Sequence, residues 1–273
     1  MKVALAQTRV EAAAVEANVD RAVQRVEAAA NEGADLVVLP ELFTVGYFAF
    51  DAYARAAEPL DGETLSRLSA VAADNGITLL AGSIVEDLEA SRAAGVETPA
   101  SEGLANTAVL FDATGERRLV YRKHHLFGYG SAEQELLVAG EAVQTAEVGD
   151  HVVGVTTCYD LRFPALYRRL VEEGVTLALV PSAWPYPRVE HWRLLPRARA
   201  VENLLYVCAA NGVGAFEEAE LLGRSAVYDP WGTTLAGAGD EPALVTAEAD
   251  RARVDEVRAE FPALEDRRGE FSL

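Results

Sequence analysis

A cysteine closing an apolar run is the first residue in this chain that could do chemistry. In Gly154-Val-Thr-Thr-Cys158-Tyr-Asp-Leu-Arg162-Phe-Pro164, the neighbouring Val152, Val153 and Val155 suit a pleated, buried strand. Pro164 is placed to open a helix whose apolar residues are Leu166, Leu170 and Val171. Cys158 therefore falls at a strand-to-helix turn. Backbone N–H groups there lack intrahelical partners and stabilise anions, a thiolate or an oxyanion among them. Two further reactive groups sit beside apolar runs. Glu41 follows Val38-Leu39-Pro40, and Lys123 follows Leu119-Val-Tyr-Arg122. Singly, each has an ordinary reading: a core thiol, a solvated loop carboxylate, a surface base in Arg122-Lys-His-His125. In α/β sheets, however, residues just past strand C-termini face one crevice, so this acid, amine and thiol can meet.

The elements that must position them follow from periodicity. Lys2 to Gln7 reads as a strand, and Asn18 to Ala30 as a helix with Val19, Ala22, Val23, Val26 and Ala29 on one face. Asp35 to Pro40 is a short, doubly buried strand. Gly62 to Asn75 is a second helix. Strands are expected at Ile77–Val85, Asn106–Phe111, Arg117–Tyr121, His151–Thr157, Leu177–Val180 and Leu205–Ala210. Ser91 to Gly103 reads as a surface loop between strands. A helix spans His191–Asn203 and either begins or kinks at Pro196. Arg224–Tyr228, the turn Asp229–Gly232 and Ala243–Ala247 form a terminal hairpin region, before a last helix at Asp250–Phe261 and a charged tail. Cys208, inside a strand, is expected to be a small core residue. The run Glu172-Glu-Gly-Val-Thr-Leu-Ala-Leu-Val-Pro181 echoes Glu32-Gly-Ala-Asp-Leu-Val-Val-Leu-Pro40. The echo suggests an internal pseudo-two-fold with two sheets built alike. Alternating strands and helices indicate a layered α/β domain, leaving a doubly wound sheet or a four-layer sandwich open.

The whole chain sets bounds. Its 273 residues, 50% of them hydrophobic, suffice for one large core, and no linker divides them, so a single domain over residues 1–273 is expected. No apolar run approaches a membrane span, and the N-terminus reads as a strand rather than a signal peptide. Two cysteines without a CxxC fit a reducing compartment, so a cytoplasmic protein is expected. Four histidines without ligand spacing argue against a metal. A net charge of −19 disfavours nucleic acid as a partner.

Three segments carry a family resemblance. Pro40-Glu41-Leu-Phe43, Tyr121-Arg-Lys123-His-His-Leu-Phe127 and Cys158-Tyr-Asp-Leu-Arg-Phe-Pro164 resemble, in order, the signature segments of the nitrilase superfamily of carbon–nitrogen hydrolases. The likeness extends to Pro181-Ser-Ala-Trp184, Ala198-Arg-Ala-Val-Glu-Asn203 and Ala209-Ala-Asn211, and so covers nearly the whole chain. The resemblance implies a four-layer αββα sandwich that dimerises or assembles further. It also implies a catalytic triad of Glu41, Lys123 and Cys158. A second family glutamate falls on Glu133, seven residues before Gly140, with Glu135 as the competing position.

Such a triad is suited to amides. Glu41, with its pKa raised in a pocket, would take the thiol proton and return it to the leaving amine. Lys123 and the backbone N–H of Tyr159 would hold the oxyanion. Glu41 or Glu133 would activate water to hydrolyse the thioester, without metal or organic cofactor. Cys158-Tyr159-Asp160 resembles the amidase branches rather than the Cys-Trp-Glu of nitrilases. Phe43, Tyr47, Phe48, Phe127, Tyr129, Tyr159 and Trp184 are expected around the pocket mouth, with Tyr47 and Trp184 as the foremost substrate-contacting candidates. A crowded pocket points to a short aliphatic amide. The alternatives are an ω-amidase, an N-carbamoyl-amine hydrolase or a nitrilase. An ω-amidase needs a cationic clamp, for which Arg162 is a candidate, though the reading favours a fold-supporting role for it. Other readings are a Cys–His protease using His124 or His125, an isochorismatase-like hydrolase, and a scaffold on a decayed hydrolase fold.

Overall fold

A computed structural model describes residues 1–268, and residues 269–273 at the end of the expected charged tail lie outside the described residues. The chain begins with β1 (Lys2–Gln7), α1 (Val15–Asn31) and β2 (Leu36–Val38). After a short α2 (Tyr53–Ala56) come α3 (Glu63–Asn75), β3 (Thr78–Leu80), β4 (Ile84–Asp87) and α4 (Leu88–Ala93). Next are β5 (Leu104–Phe111), β6 (Arg117–Arg122), α5 (Glu133–Leu136), β7 (Thr145–Val148) and β8 (His151–Val155). A 3-10 turn (Cys158–Arg162) leads into α6 (Pro164–Glu172), then β9 (Leu177–Ser182), α7 (Val189–Asn203) and β10 (Tyr206–Asn211). The described chain closes with β11 (Val213–Ala215), β12 (Glu220–Leu222), β13 (Ala226–Tyr228), β14 (Thr234–Gly237), β15 (Ala243–Glu248) and α8 (Arg251–Glu260).

Two sheets pack face to face. One runs β15-β1-β2-β3-β5-β4, with β6 also paired to β5, and the other runs β14-β13-β10-β9-β8-β7. Strand alternation sorts the side chains between layers. Val3 and Leu5 of β1, Leu36 and Val38 of β2, and Leu177 and Leu179 of β9 meet in one core between the sheets. Ala4, Ala6 and Val37 turn the other way, onto α1 and α3 through Val19, Ala22, Val26, Leu65 and Leu68. Ala178 and Val180 of β9 turn onto α6 and α7 through Tyr167, Leu170, Trp192 and Ala200. The result is the αββα sandwich, helices on both outer faces and sheets within. Cys208 lies in the inter-sheet core with no exposure, as expected of it.

The echoed runs occupy matching places. β2 is flanked by parallel β1 and β3, and β9 by parallel β8 and β10, each at the centre of a parallel trio in its own sheet. The internal pseudo-two-fold is thus present in the strand order.

Several expected boundaries change. α1 begins at Val15, one turn before Asn18. The single strand expected over Ile77–Val85 is two strands, β3 and β4, separated in the sheet by β5. Gly82 causes the break: its φ is +45°, and a Cβ there would lie 2.0 Å from the Pro40 carbonyl oxygen, so only glycine makes this turn. The loop expected from Ser91 has its first residues in α4. The terminal hairpin is β13–β14, whereas β15 crosses to pair with β1 in the opposite sheet. α7 begins at Val189 and carries Pro196 in its interior, so the helix does not begin at that proline. β7, β11, β12 and β14 are too short or too mixed in polarity to announce themselves in sequence.

Candidate functional site

Glu41, Lys123, Cys158 and Glu133 meet in one cluster. The Lys123 ammonium is fully buried and donates to Glu41 Oε1 at 2.8 Å and to Glu133 Oε1 at 2.8 Å. It also reaches Glu133 Oε2 at 3.0 Å. The Cys158 thiol lies close enough to the Glu41 carboxylate for that negative charge to act on it. Glu133 is wholly buried, while Glu135 is exposed, so only Glu133 faces this group.

Each member is held by its turn. Glu41 follows β2 and precedes Leu42, whose φ of +42° is strained for a side-chain-bearing residue. The Leu42 N–H donates to Ser83 Oγ at 2.8 Å and fixes that bend. Cys158 itself has φ +47°, so the thiol sits at a second strained turn, after β8. Lys123 directly follows β6, and its N–H donates to the Asn106 carbonyl on β5 at 2.9 Å. The echoed strand ends also meet here. The Ala183 N–H, just past β9, donates to Glu41 Oε2 at 2.9 Å.

Three buried residues at this site were not singled out from sequence. Asn106 Nδ2 donates to Glu41 Oε1 at 2.9 Å and to Glu133 Oε1 at 3.3 Å, bridging the two acids. Its signal was an amide side chain, next to Thr107, inside the mostly apolar run of β5. Asp160 binds both segments that carry the amine and the thiol. Its Oδ2 accepts from Tyr121 Oη at 2.7 Å and Thr157 N at 2.9 Å, and its Oδ1 accepts from His125 N at 2.9 Å. Tyr121 and His125 bracket Lys123, and Thr157 precedes Cys158. Ser83 had no signal beyond its place beside a glycine turn.

The electrostatics are set by burial and partners. Burial alone would lower the Lys123 pKa, but the carboxylates of Glu133 and Glu41 outweigh it and hold the ammonium well above its ordinary value. Burial raises Glu41 above the ordinary carboxylate value, against the pull of Lys123. Burial and the adjacent Glu41 push the Cys158 thiol up as well, so it is protonated at rest. An acid disposed to accept a proton thus lies near a neutral thiol, beside a buried cation.

A pocket opens over Cys158. It encloses about 410 Å³ including its mouth and is walled by Tyr47, Phe48, Phe127, Tyr159 and Trp184. Tyr47 also donates to Glu133 Oε2 at 3.1 Å, and the Lys123 ammonium lies 5.2 Å from its ring centre. Two aromatics expected at the mouth are elsewhere. Phe43 is buried between sheet and helices, and Tyr129 projects into solvent at 81% exposure. Arg162 corrects its expectation too. It lines the pocket, its guanidinium 5.1 Å from the Trp184 ring and 5.7 Å from that of Tyr159. Arg188 lines it as well, 5.6 Å over Phe127. Neither arginine forms a salt bridge among the described residues. His125 does not serve the thiol. Its ring is stacked on Phe163 and directed at Asp160 Oδ1, 2.7 Å away.

A buried acid–amine–thiol cluster on an αββα sandwich defines a class of hydrolases. The chain belongs to the carbon–nitrogen hydrolase family, whose model matches residues 2–259. It is 39% identical to a 2-oxoglutaramate amidase of Paenarthrobacter nicotinovorans, over 87% of this chain and 80% of that protein. It is 34% identical to the human omega-amidase NIT2, over 93% and 90% of the two chains. Its structure superposes with TM-score 0.87 on a CN-hydrolase superfamily protein of Xanthomonas campestris carrying an arsenic adduct in its active site. That match has 31% identity and covers 100% and 98% of the two chains.

Proposed function

We propose that the protein is an ω-amidase, hydrolysing the terminal carboxamide of a short acid to a carboxylate and ammonia. The observation that carries this reading is the pair of arginines. In a chain with 43 acidic and 24 basic residues, Arg162 and Arg188 line the pocket without a carboxylate partner among the described residues. A guanidinium left unpaired in an aromatic slot suits a ligand carboxylate. A neutral aliphatic amide leaves both charges unused. The 2-oxoglutaramate amidase and omega-amidase relatives support the same choice, so the expected short aliphatic amide gives way to its ω-amidase alternative.

The steps follow from the contacts. Glu41 takes the proton of Cys158 as sulfur attacks the amide carbon. The Lys123 ammonium and the Tyr159 N–H stabilise the resulting oxyanion. Protonated Glu41 gives its proton to the amide nitrogen, the C–N bond breaks, and ammonia leaves a thioester on Cys158. Water then loses a proton to Glu41, attacks the thioester, and the acid departs as sulfur is reprotonated. Glu133, whose oxygens are occupied by Lys123, Tyr47 and the Phe127 N–H, orients the cation rather than moving protons. The same proposal takes the chain as one hydrolase domain in a cytoplasmic homodimer or larger homo-oligomer.

The test is a comparison of succinamate, which carries a carboxylate beyond its amide, with butyramide, its neutral counterpart. The expected result is a kcat/KM for succinamate at least about tenfold higher, one charge-assisted contact being worth that much. Equal values, or a preference for butyramide, contradict the reading.

A further inference from the structure

His191 lies outside the pocket wall, yet it holds the only side-chain hydrogen bond of Arg162 among the described residues. The Arg162 Nη2 lies 3.0 Å from His191 Nδ1. A guanidinium only donates, so Nδ1 accepts and the ring is in its Nε2–H form. The other neighbours of Arg162 are the faces of Trp184 and Tyr159, which attract a cation without fixing its direction. The His191 side chain is exposed, but the backbone that carries it is anchored. It stands in the first turn of α7, beside Trp192, which is 2% exposed and donates from Nε1 to the Arg224 carbonyl at 2.7 Å. The preceding Arg188 carbonyl accepts from Trp184 Nε1 at 3.1 Å, tying this turn to the pocket wall.

Resting on the ω-amidase reading, we infer that His191 is a positioning residue for substrate specificity: a neutral acceptor that aims the Arg162 guanidinium at the ligand carboxylate without consuming its charge. A carboxylate in that place would hold Arg162 equally well but would cancel the charge the ligand needs. An imidazole supplies direction alone. Because Arg162 is a long, flexible side chain, losing its one directional contact spreads it over several rotamers and weakens anion capture. The chemistry at Cys158 is not involved, so the effect falls on KM for acids and not on kcat.

The experiment measures steady-state kinetics on succinamate and butyramide for the full-length protein and three variants: His191→Ala, His191→Asn and Arg162→Leu. His191→Ala is expected to raise the succinamate KM about three- to tenfold, the range for one lost hydrogen bond to a charged group, with kcat retained. The butyramide KM moves by less than about twofold, since no carboxylate is captured. His191→Asn, whose Oδ1 can replace Nδ1 as acceptor, restores most of the succinamate KM. Arg162→Leu lowers the ratio of succinamate to butyramide kcat/KM more than either. An unchanged succinamate KM in His191→Ala overturns the inference, as does an equal rise for both amides, which marks a structural role. Failure of His191→Asn to recover, with correct folding by circular dichroism, also overturns it. If Arg162→Leu leaves the substrate ratio unchanged, the arginine clamp itself is wrong, and the ω-amidase reading loses its support independently of His191.

Discussion

Cys158 and Cys208 are both buried, both unpaired as disulfides, and both carry a thiol pKa raised by burial. Their surroundings differ. Burial is the whole account of Cys208, which lies mid-strand among the apolar side chains between the sheets. Cys158 stands at a strained turn after β8, where the charges of the Glu41 carboxylate and the Lys123 ammonium act on it. The contrast shows what the proposed mechanism requires: no thiolate waiting at rest, but a proton acceptor near a neutral thiol and a cation placed for the charge that develops afterwards.

The largest effect should separate the two sulfurs outright. Cys158→Ala is expected to fold with an unchanged circular dichroism spectrum and to release no measurable ammonia. Retained turnover would remove sulfur from the chemistry. Glu41→Gln keeps the shape of the acid and removes its basicity, and kcat should fall by about 10²- to 10⁴-fold. Lys123→Met leaves Glu41 and Glu133 buried without their cation, so calorimetry or denaturant melts should show a loss of about 3–5 kcal/mol along with activity. Asp160→Asn weakens the tie between the Lys123 and Cys158 segments. A fall in kcat of about tenfold with little change in KM is expected, since misplacement affects the reacting groups first. The smallest effect belongs to Cys208→Ala, expected to cost about 1 kcal/mol of stability by loss of a buried atom and to leave kcat unchanged.

The pH dependence sharpens the same comparison. Glu41 must be ionised to accept the proton, and its pKa is raised above the ordinary value of 4.5. Activity should therefore be full above that raised value and fall as the pH drops through it. The acid limb of kcat/KM should lie above 4.5. Lys123, held well above its ordinary value, stays charged across the neutral range and adds no alkaline limb there.

Much of this was legible in sequence, for identifiable reasons. β1, β2 and β9 are short, apolar and bounded by glycine and proline, so both their existence and their echo could be read. Glu41, Lys123 and Cys158 each follow an apolar strand, which placed them at one edge. Other features depend on approaches between distant segments. No local pattern shows that β15 crosses to β1, or that Gly82 splits one run into strands on either side of β5. The left-handed backbone at Leu42 and Cys158 has no marker in residue type, since glycine is absent from both positions. Arg162 looked structural because its motif lies next to the fold's central turn, and its unpaired charge became visible only with Trp184, Tyr159 and His191 around it. Glu133 and Glu135 are indistinguishable by spacing alone, and one turn of α5 buries the first and exposes the second.

The central claim is that Glu41 deprotonates a neutral Cys158 thiol, and alkylation kinetics test it most directly. The rate of Cys158 modification by iodoacetamide would be followed against pH by intact-protein mass, in the Cys208→Ala background, with and without Glu41→Gln. The account predicts a rate that rises with pH through a titration above the ordinary carboxylate range, and loss of that step once Glu41 is glutamine, the rate then rising only with the thiol's own ionisation. Fast alkylation, independent of pH and of Glu41, would show a thiolate already formed at rest and would contradict it.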